Sequence, residues 1–120
     1  MSECYCDYDG PAPSVYRKAV HTARTQHKCY ECGRKIQPGE RYENCFAVYD
    51  GAAVTSPTCS YCLDLRECVN AHVPCLCWSH GNIREECIET AQEYAHEAPG
   101  LLFGAYRREV RIVNARKAAE

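Results

Sequence analysis

Cys29-Tyr30-Glu31-Cys32-Gly33-Arg34-Lys35-Ile36-Gln37-Pro38-Gly39-Glu40 sets two thiols three positions apart, with a glycine directly behind the second and a Pro-Gly turn beyond. A redox dithiol, a disulfide or half of a metal site can open this way, so the partners elsewhere in the chain decide. The deciding partner is Cys59-x2-Cys62, which lies at the start of a segment with helical spacing. Two close pairs of soft thiolates satisfy tetrahedral Zn²⁺. Gly33 fits the tight turn in which backbone N–H groups face the sulfurs. A thioredoxin-like dithiol would want a single pair after a strand in a βαβ pattern, and this chain has two pairs and no such pattern.

Composition explains why a metal is needed. The chain has 120 residues and eleven cysteines, but Val, Ile, Leu and Phe together number only nineteen. A share below about 20% usually signals disorder, but only alongside high net charge, and here the charge is −2. Sulfur chemistry must therefore supply stability, through disulfides or through metal. The segment "MSECYCDYDG" has neither a basic n-region nor an apolar run, and an odd cysteine count suits a complete disulfide set poorly. Reduced thiolates in a cytoplasm are the expectation, with no membrane segment.

A single domain is expected, with residues 1–28 as an N-terminal segment, 29–73 as the zinc finger and 74–120 as a second-site segment with C-terminal helices. The second half of residues 15–28 reads as an extended lead-in. Residues 41–49 alternate through Tyr42, Asn44, Phe46 and Val48, and Asp50-Gly51 turns the chain into a second strand at Val54 and Thr55. A first helix starts at the second cysteine pair and stops before Pro74. Asn82-Ile83-Arg84-Glu85 reads as a capping box for a second, with Ile83, Cys87, Ala91, Tyr94 and Ala98 as its apolar stripe. Leu102, Tyr106, Val110 and Val113 mark a third. The expected fold class is α+β.

Cys29-x2-Cys32-Gly33-x2-Ile36-x-Pro38-Gly39, then Val48-Tyr49-Asp50-Gly51, then Cys59-x2-Cys62 resembles a treble-clef zinc finger: a knuckle, a hairpin and a ligand-bearing helix. A large-subunit ribosomal protein family carries a similar signature. The likeness spans residues 29–72 and implies architecture rather than ribosomal function.

A second site is expected at Cys4, Cys6, Cys75 and Cys77. In extended chain, positions i and i+2 point the same way and can grip one ion. His80 is an alternative ligand, and Cys68 with His72, or Cys87, also compete. Cys45, Cys68 and Cys87 are otherwise assigned to the core, and Trp78 to covering the metal segment or, if exposed, to binding.

Four thiolates leave zinc no open position, so both sites are expected to be structural and no catalytic residue is assigned. The zinc-deaminase pattern is absent. A His-metal nuclease is the enzyme alternative, drawing on His21, His27, His72, His80 and Asn82. For nucleic acid, Arg17, Lys18, Arg24, Lys28, Arg34 and Lys35 form a basic block interleaved with Tyr16 and Tyr30. The five glutamates in residues 82–98 would repel a polyanion, and a protein partner tolerates such charge blocks more easily.

The segments HKCYECGRKIQPGERY (27–42), YDG (49–51) and CLCWSHG (75–81) together resemble a group of small cysteine-rich proteins encoded by bacteriophages and prophages. That resemblance implies a bacterial cytoplasm during infection and contact with a host or phage macromolecule. It brings no catalytic residues.

Overall fold

The computed structural model describes residues 13–118, which form five strands and three helices. In chain order these are β1 (Val15–Thr22), β2 (His27–Lys28), β3 (Lys35–Ile36), β4 (Arg41–Tyr49), β5 (Ala52–Cys59), α1 (Ser60–Asn70), α2 (Ile83–Glu93) and α3 (Leu101–Ala118). The protein is a small α+β structure with antiparallel sheets.

The hairpin forms as the sequence predicts. Asp50 and Gly51 both take positive φ, 49° and 79°, as a two-residue primed turn requires, and Tyr49 pairs with Ala52. β1 pairs antiparallel with the other side of β4, from Val15 opposite Val48 to Thr22 opposite Arg41, giving the order β1-β4-β5. The strand thus occupies the first half of residues 15–28, not the second. The remainder turns outward into the small β2-β3 ladder, an insertion between β1 and β4. Its base is closed by Ala23 N–H donating to the Glu40 carbonyl and Gly39 N–H donating to the Ala23 carbonyl, each at 2.8 Å.

Tyr42 is buried as expected, but from Glu43 onward β4 buries the opposite parity. Glu43, Cys45 and Ala47 of β4 and Ser56 and Thr58 of β5 are buried, whereas Asn44, Phe46 and Val48 are half-buried. Period 2 fixes only that alternate residues share a face. A glutamate occupies the covered face because α1 brings it a counter-charge: Arg66 forms two bonds to Glu43, of 2.7 and 3.0 Å.

The three helices pack on one another through Leu65 and Val69 of α1, Ile83, Cys87 and Ala91 of α2, and Leu101, Ala105 and Ile112 of α3. α1 begins where expected but ends at Asn70, short of Pro74. The apolar stripe of α3 is misread from the sequence: Tyr106 and Val110 are exposed, and the buried face runs through Leu101, Ala105 and Ile112. Alanine carries little hydrophobic signal, yet Ala105 is fully buried. No helix among the described residues is long and apolar enough to cross a membrane.

Arg66 and Glu43 expose only 12% and 9% of their side chains, so removing one partner strands a desolvated charge. Arg66→Met should lower stability by roughly 3–5 kcal/mol, read from denaturant midpoints. The Arg66 guanidinium holds the Glu43 carboxyl below its ordinary range. Its stabilisation is therefore complete above the unfolded carboxylate pKa of about 4.3 and disappears as pH falls through the depressed folded value. Glu43→Gln should flatten that acid limb.

Candidate metal centre

Cys29 and Cys32 sit on the turn joining β2 to β3. Gly33, at φ 78°, donates its N–H to the Cys29 carbonyl at 3.0 Å, and Cys29 N–H donates to the Arg34 carbonyl at 2.8 Å. Cys59 ends β5 and precedes α1, and Cys62 lies in the first turn of that helix. The four sulfurs all lie within 4.8 Å of one another and all four residues are buried. Cys32 and Cys59 sulfurs are 3.7 Å apart, Cys29 and Cys62 sulfurs 3.9 Å.

Those lengths identify the chemistry the cluster suits. A disulfide would need about 2.05 Å. A metal–sulfur bond near 2.3 Å in a tetrahedron places sulfurs about 3.8 Å apart. The donor set and spacing therefore fit one tetrahedral metal ion.

Protonation points the same way. Hydrogen bonds from Cys29, then Cys32 and Cys62, drive the Cys59 thiol down, and a bond from Cys32 lowers Cys29 to about 6. Cys62 and Cys32 are pushed up, chiefly by the Cys29 sulfur. The four sulfurs therefore compete for protons at close range, and a divalent cation is the natural replacement for those protons. Cys59 N–H also donates to the Cys29 sulfur at 3.3 Å.

Two side chains the sequence reading missed frame this cluster. Arg34, placed there on the basic surface, is instead 7% exposed. It reaches Glu40 at 2.8 Å and lies over the Tyr61 ring at 4.9 Å. Burial opposes its charge, but Glu40 and the Cys59 sulfur outweigh it and keep the guanidinium ionised. A buried cation beside the Cys59 sulfur offsets negative charge gathered there.

Glu31, between the two knuckle cysteines, accepts the N–H groups of Gly81 at 2.5 Å and Ile83 at 2.9 Å. It therefore caps α2 from a distant part of the chain. Asn82 makes no side-chain cap bond, so the expected capping box does not form; its amide donates to Ser79 Oγ at 3.1 Å. Burial pushes the Glu31 carboxyl up against the pull of the two N–H donors. Tyr30 reinforces the junction, because a Cβ on Gly81, which sits at φ 98°, would lie 3.1 Å from its ring.

Of the second predicted site, Cys4 and Cys6 lie outside the described residues. The Cys75 and Cys77 sulfurs lie 3.5 Å apart. That is too long for a bond between them; each is instead engaged in a disulfide, which departs from the reduced thiolates expected of the second site. The alternative ligand His80 turns its Nε2 to the Tyr16 hydroxyl at 3.0 Å. His72 bonds the Cys68 carbonyl at 2.7 Å. His21 and His27 both stack near Tyr42. Cys45 and Cys87 are buried as expected and Cys68 is half-buried. Arg17, Lys18, Arg24, Lys28 and Lys35 are exposed.

Compared with protein-family models, curated protein sequences and solved structures, the chain matches none. Its chemistry is read from its own residues.

Cys29→Ser and Cys59→Ser should each abolish cooperative folding and metal uptake, checked by circular dichroism and elemental analysis. Glu31→Ala should cost about 1–2 kcal/mol, the scale of a lost helix cap. In the intact protein, a strong chelator should raise hydrogen exchange at 81–84 together with the knuckle.

Proposed function

We propose that the chain is a non-catalytic, zinc-stabilised binding domain of treble-clef type, whose partner is a host or phage protein in a bacterial cytoplasm. The observation that carries this reading is the closed sulfur cluster: four buried thiols at tetrahedral spacing fill every position of a zinc ion and leave none for substrate. The knuckle, the β4-β5 hairpin and α1 follow one another as a treble clef requires. Zinc is favoured by the all-thiolate tetrahedral donor set.

The surface supports a protein partner. β1 is an edge strand in which all eight residues are exposed, among them Tyr16 and Val20 at 44% and 50%. Such an edge offers backbone hydrogen bonds to an added strand, and Arg17 and Lys18 favour an acidic one. The basic block reads as a weaker nucleic-acid footprint once Arg34 is committed to Glu40 inside the protein.

Affinity capture from a bacterial lysate should retain a protein that Arg17→Glu with Lys18→Glu releases. Retention on DNA or RNA that collapses with rising salt would transfer the assignment to nucleic acid. Mg²⁺-dependent plasmid cleavage would replace both with a His-metal nuclease. A second zinc at Cys4, Cys6, Cys75 and Cys77 requires those sulfurs as reduced thiolates. Elemental analysis should then give two zinc ions per chain under reducing conditions and one when the chain is oxidised at those positions.

A further inference from the structure

The outer side of α3 carries large apolar side chains that stand in solvent. Phe103 and Val110, exposed to 68% and 56%, are the two most exposed large apolar side chains among the described residues, and Tyr106 between them is exposed to 44%. Spacings of three and four residues put all three on one helical face, turned away from the buried Leu101, Ala105 and Ile112. We propose that this face is the contact between two copies of the chain. The copies are related by a two-fold axis running along the stripe, so that their α3 helices lie side by side in the same direction.

The charges on either side of the stripe fix that choice. On one side α3 adjoins α2: the Gln92 amide donates to the Tyr106 hydroxyl at 3.0 Å, and Arg84 pairs with Glu109. Glu85 and Glu89 line the groove at this boundary, together with Ile88 and Glu109. Both are exposed, and neither has an ion-pair partner among the described residues. This flank is acidic.

On the other side α3 adjoins α1, and the flank is basic. Arg108 and Arg111 share Asp64 of α1, at 3.1 and 4.0 Å. Arg107, one turn before Arg111 on the same ridge, lies over the Phe103 ring at 5.8 Å and has no carboxylate partner among the described residues.

An apolar stripe between an acidic and a basic flank complements itself in one orientation. With the two-fold axis along the stripe, the α2 groove of each copy faces the ridge of Arg107 and Arg111 on the other, and symmetry makes the contact twice. The levels agree, because Arg107 and Arg111 lie two residues either side of Glu109, which shares the groove with Glu85 and Glu89. An axis across the stripe would turn the helices antiparallel and set acid against acid and base against base. Burial of the apolar side chains drives the association, and the flanking charges select its direction. A nucleic acid or an anionic bilayer would meet the glutamates as well as the arginines, so it fits this surface less well.

Sedimentation equilibrium of the intact, metal-loaded chain, from micromolar to millimolar concentration, should show a reversible monomer–dimer equilibrium. Phe103→Ala and Val110→Asp should each weaken it roughly tenfold or more, the scale of an interface hot spot. Both side chains are exposed, so metal content and circular dichroism should not change. Arg107→Glu should weaken the dimer roughly fivefold, the upper end for an exposed ion pair, and so should Glu85→Arg with Glu89→Arg. An equimolar mixture of those two charge-reversed proteins should recover association, because each acidic flank then meets a basic one. Arg17→Glu with Lys18→Glu, on the β1 edge, should leave the dimer unchanged. A chain that stays monomeric up to millimolar concentration overturns the proposal, whatever else covers the stripe. A dimer that tolerates Val110→Asp or the charge reversals, a mixture that does not recover, or a dimer lost through the β1 substitutions overturns it too.

Discussion

Four buried sulfur atoms within 4.8 Å of one another, a spacing that suits the corners of a tetrahedron, are the constraint from which the rest of this protein follows. They join the knuckle between β2 and β3 to the point where β5 becomes α1, and so tie the inserted ladder, the sheet and the helical layer at one place. A structural zinc site is worth about 10–16 kcal/mol, comparable to the whole net stability of an ordinary domain. With so few aliphatic side chains, a contribution of that size would stand in for much of an apolar core. The sulfurs also carry charge into the interior, and Arg34 is the buried cation that meets it, held in turn by Glu40.

From that centre, polar side chains transmit position where a larger protein would use packing. Glu31 links the knuckle to the start of α2 through two backbone N–H groups, and Tyr30 rests on Gly81 beside them. Arg66 links α1 to the sheet through Glu43 and lies over Trp78. Arg84 of α2 pairs with Glu109 of α3. Each link spans elements far apart in sequence, so a disturbance of the sulfur cluster would be felt well beyond the cysteines. The same sheet face that α1 covers at one end is left uncovered at the other, and an aromatic cleft is the space between that surface and the 77–80 segment.

Much of the fold was legible before any coordinates. The Asp50-Gly51 turn, the two long strands around it, the helix beginning at the second cysteine pair and the second helix all follow from local rules: positive φ at a turn, alternation in a strand, apolar spacing on a helix. The misreadings share one cause. Choosing which parity of β4 is covered, or which stripe of α3 faces inward, requires knowing what lies opposite, and the sequence marks Phe46 or Tyr106 as more hydrophobic than Cys45 or Ala105. Without α1 there is no reason to bury Glu43.

The amino-acid sequence alone picked out the four cysteines that cluster, because a metal-ligand pattern depends on residue type and close pairing, and both are written along the chain. It also showed how thin the aliphatic complement is. Only the tertiary structure decided the destinations of the charged and aromatic side chains. Arg34 goes inside, Glu31 caps a helix fifty residues away, and Tyr16, Cys45 and His80 meet around a cleft. Those outcomes depend on distances between segments remote in sequence, and a hydrogen bond or buried ion pair forms only where the fold sets donor and acceptor within about 3 Å of each other.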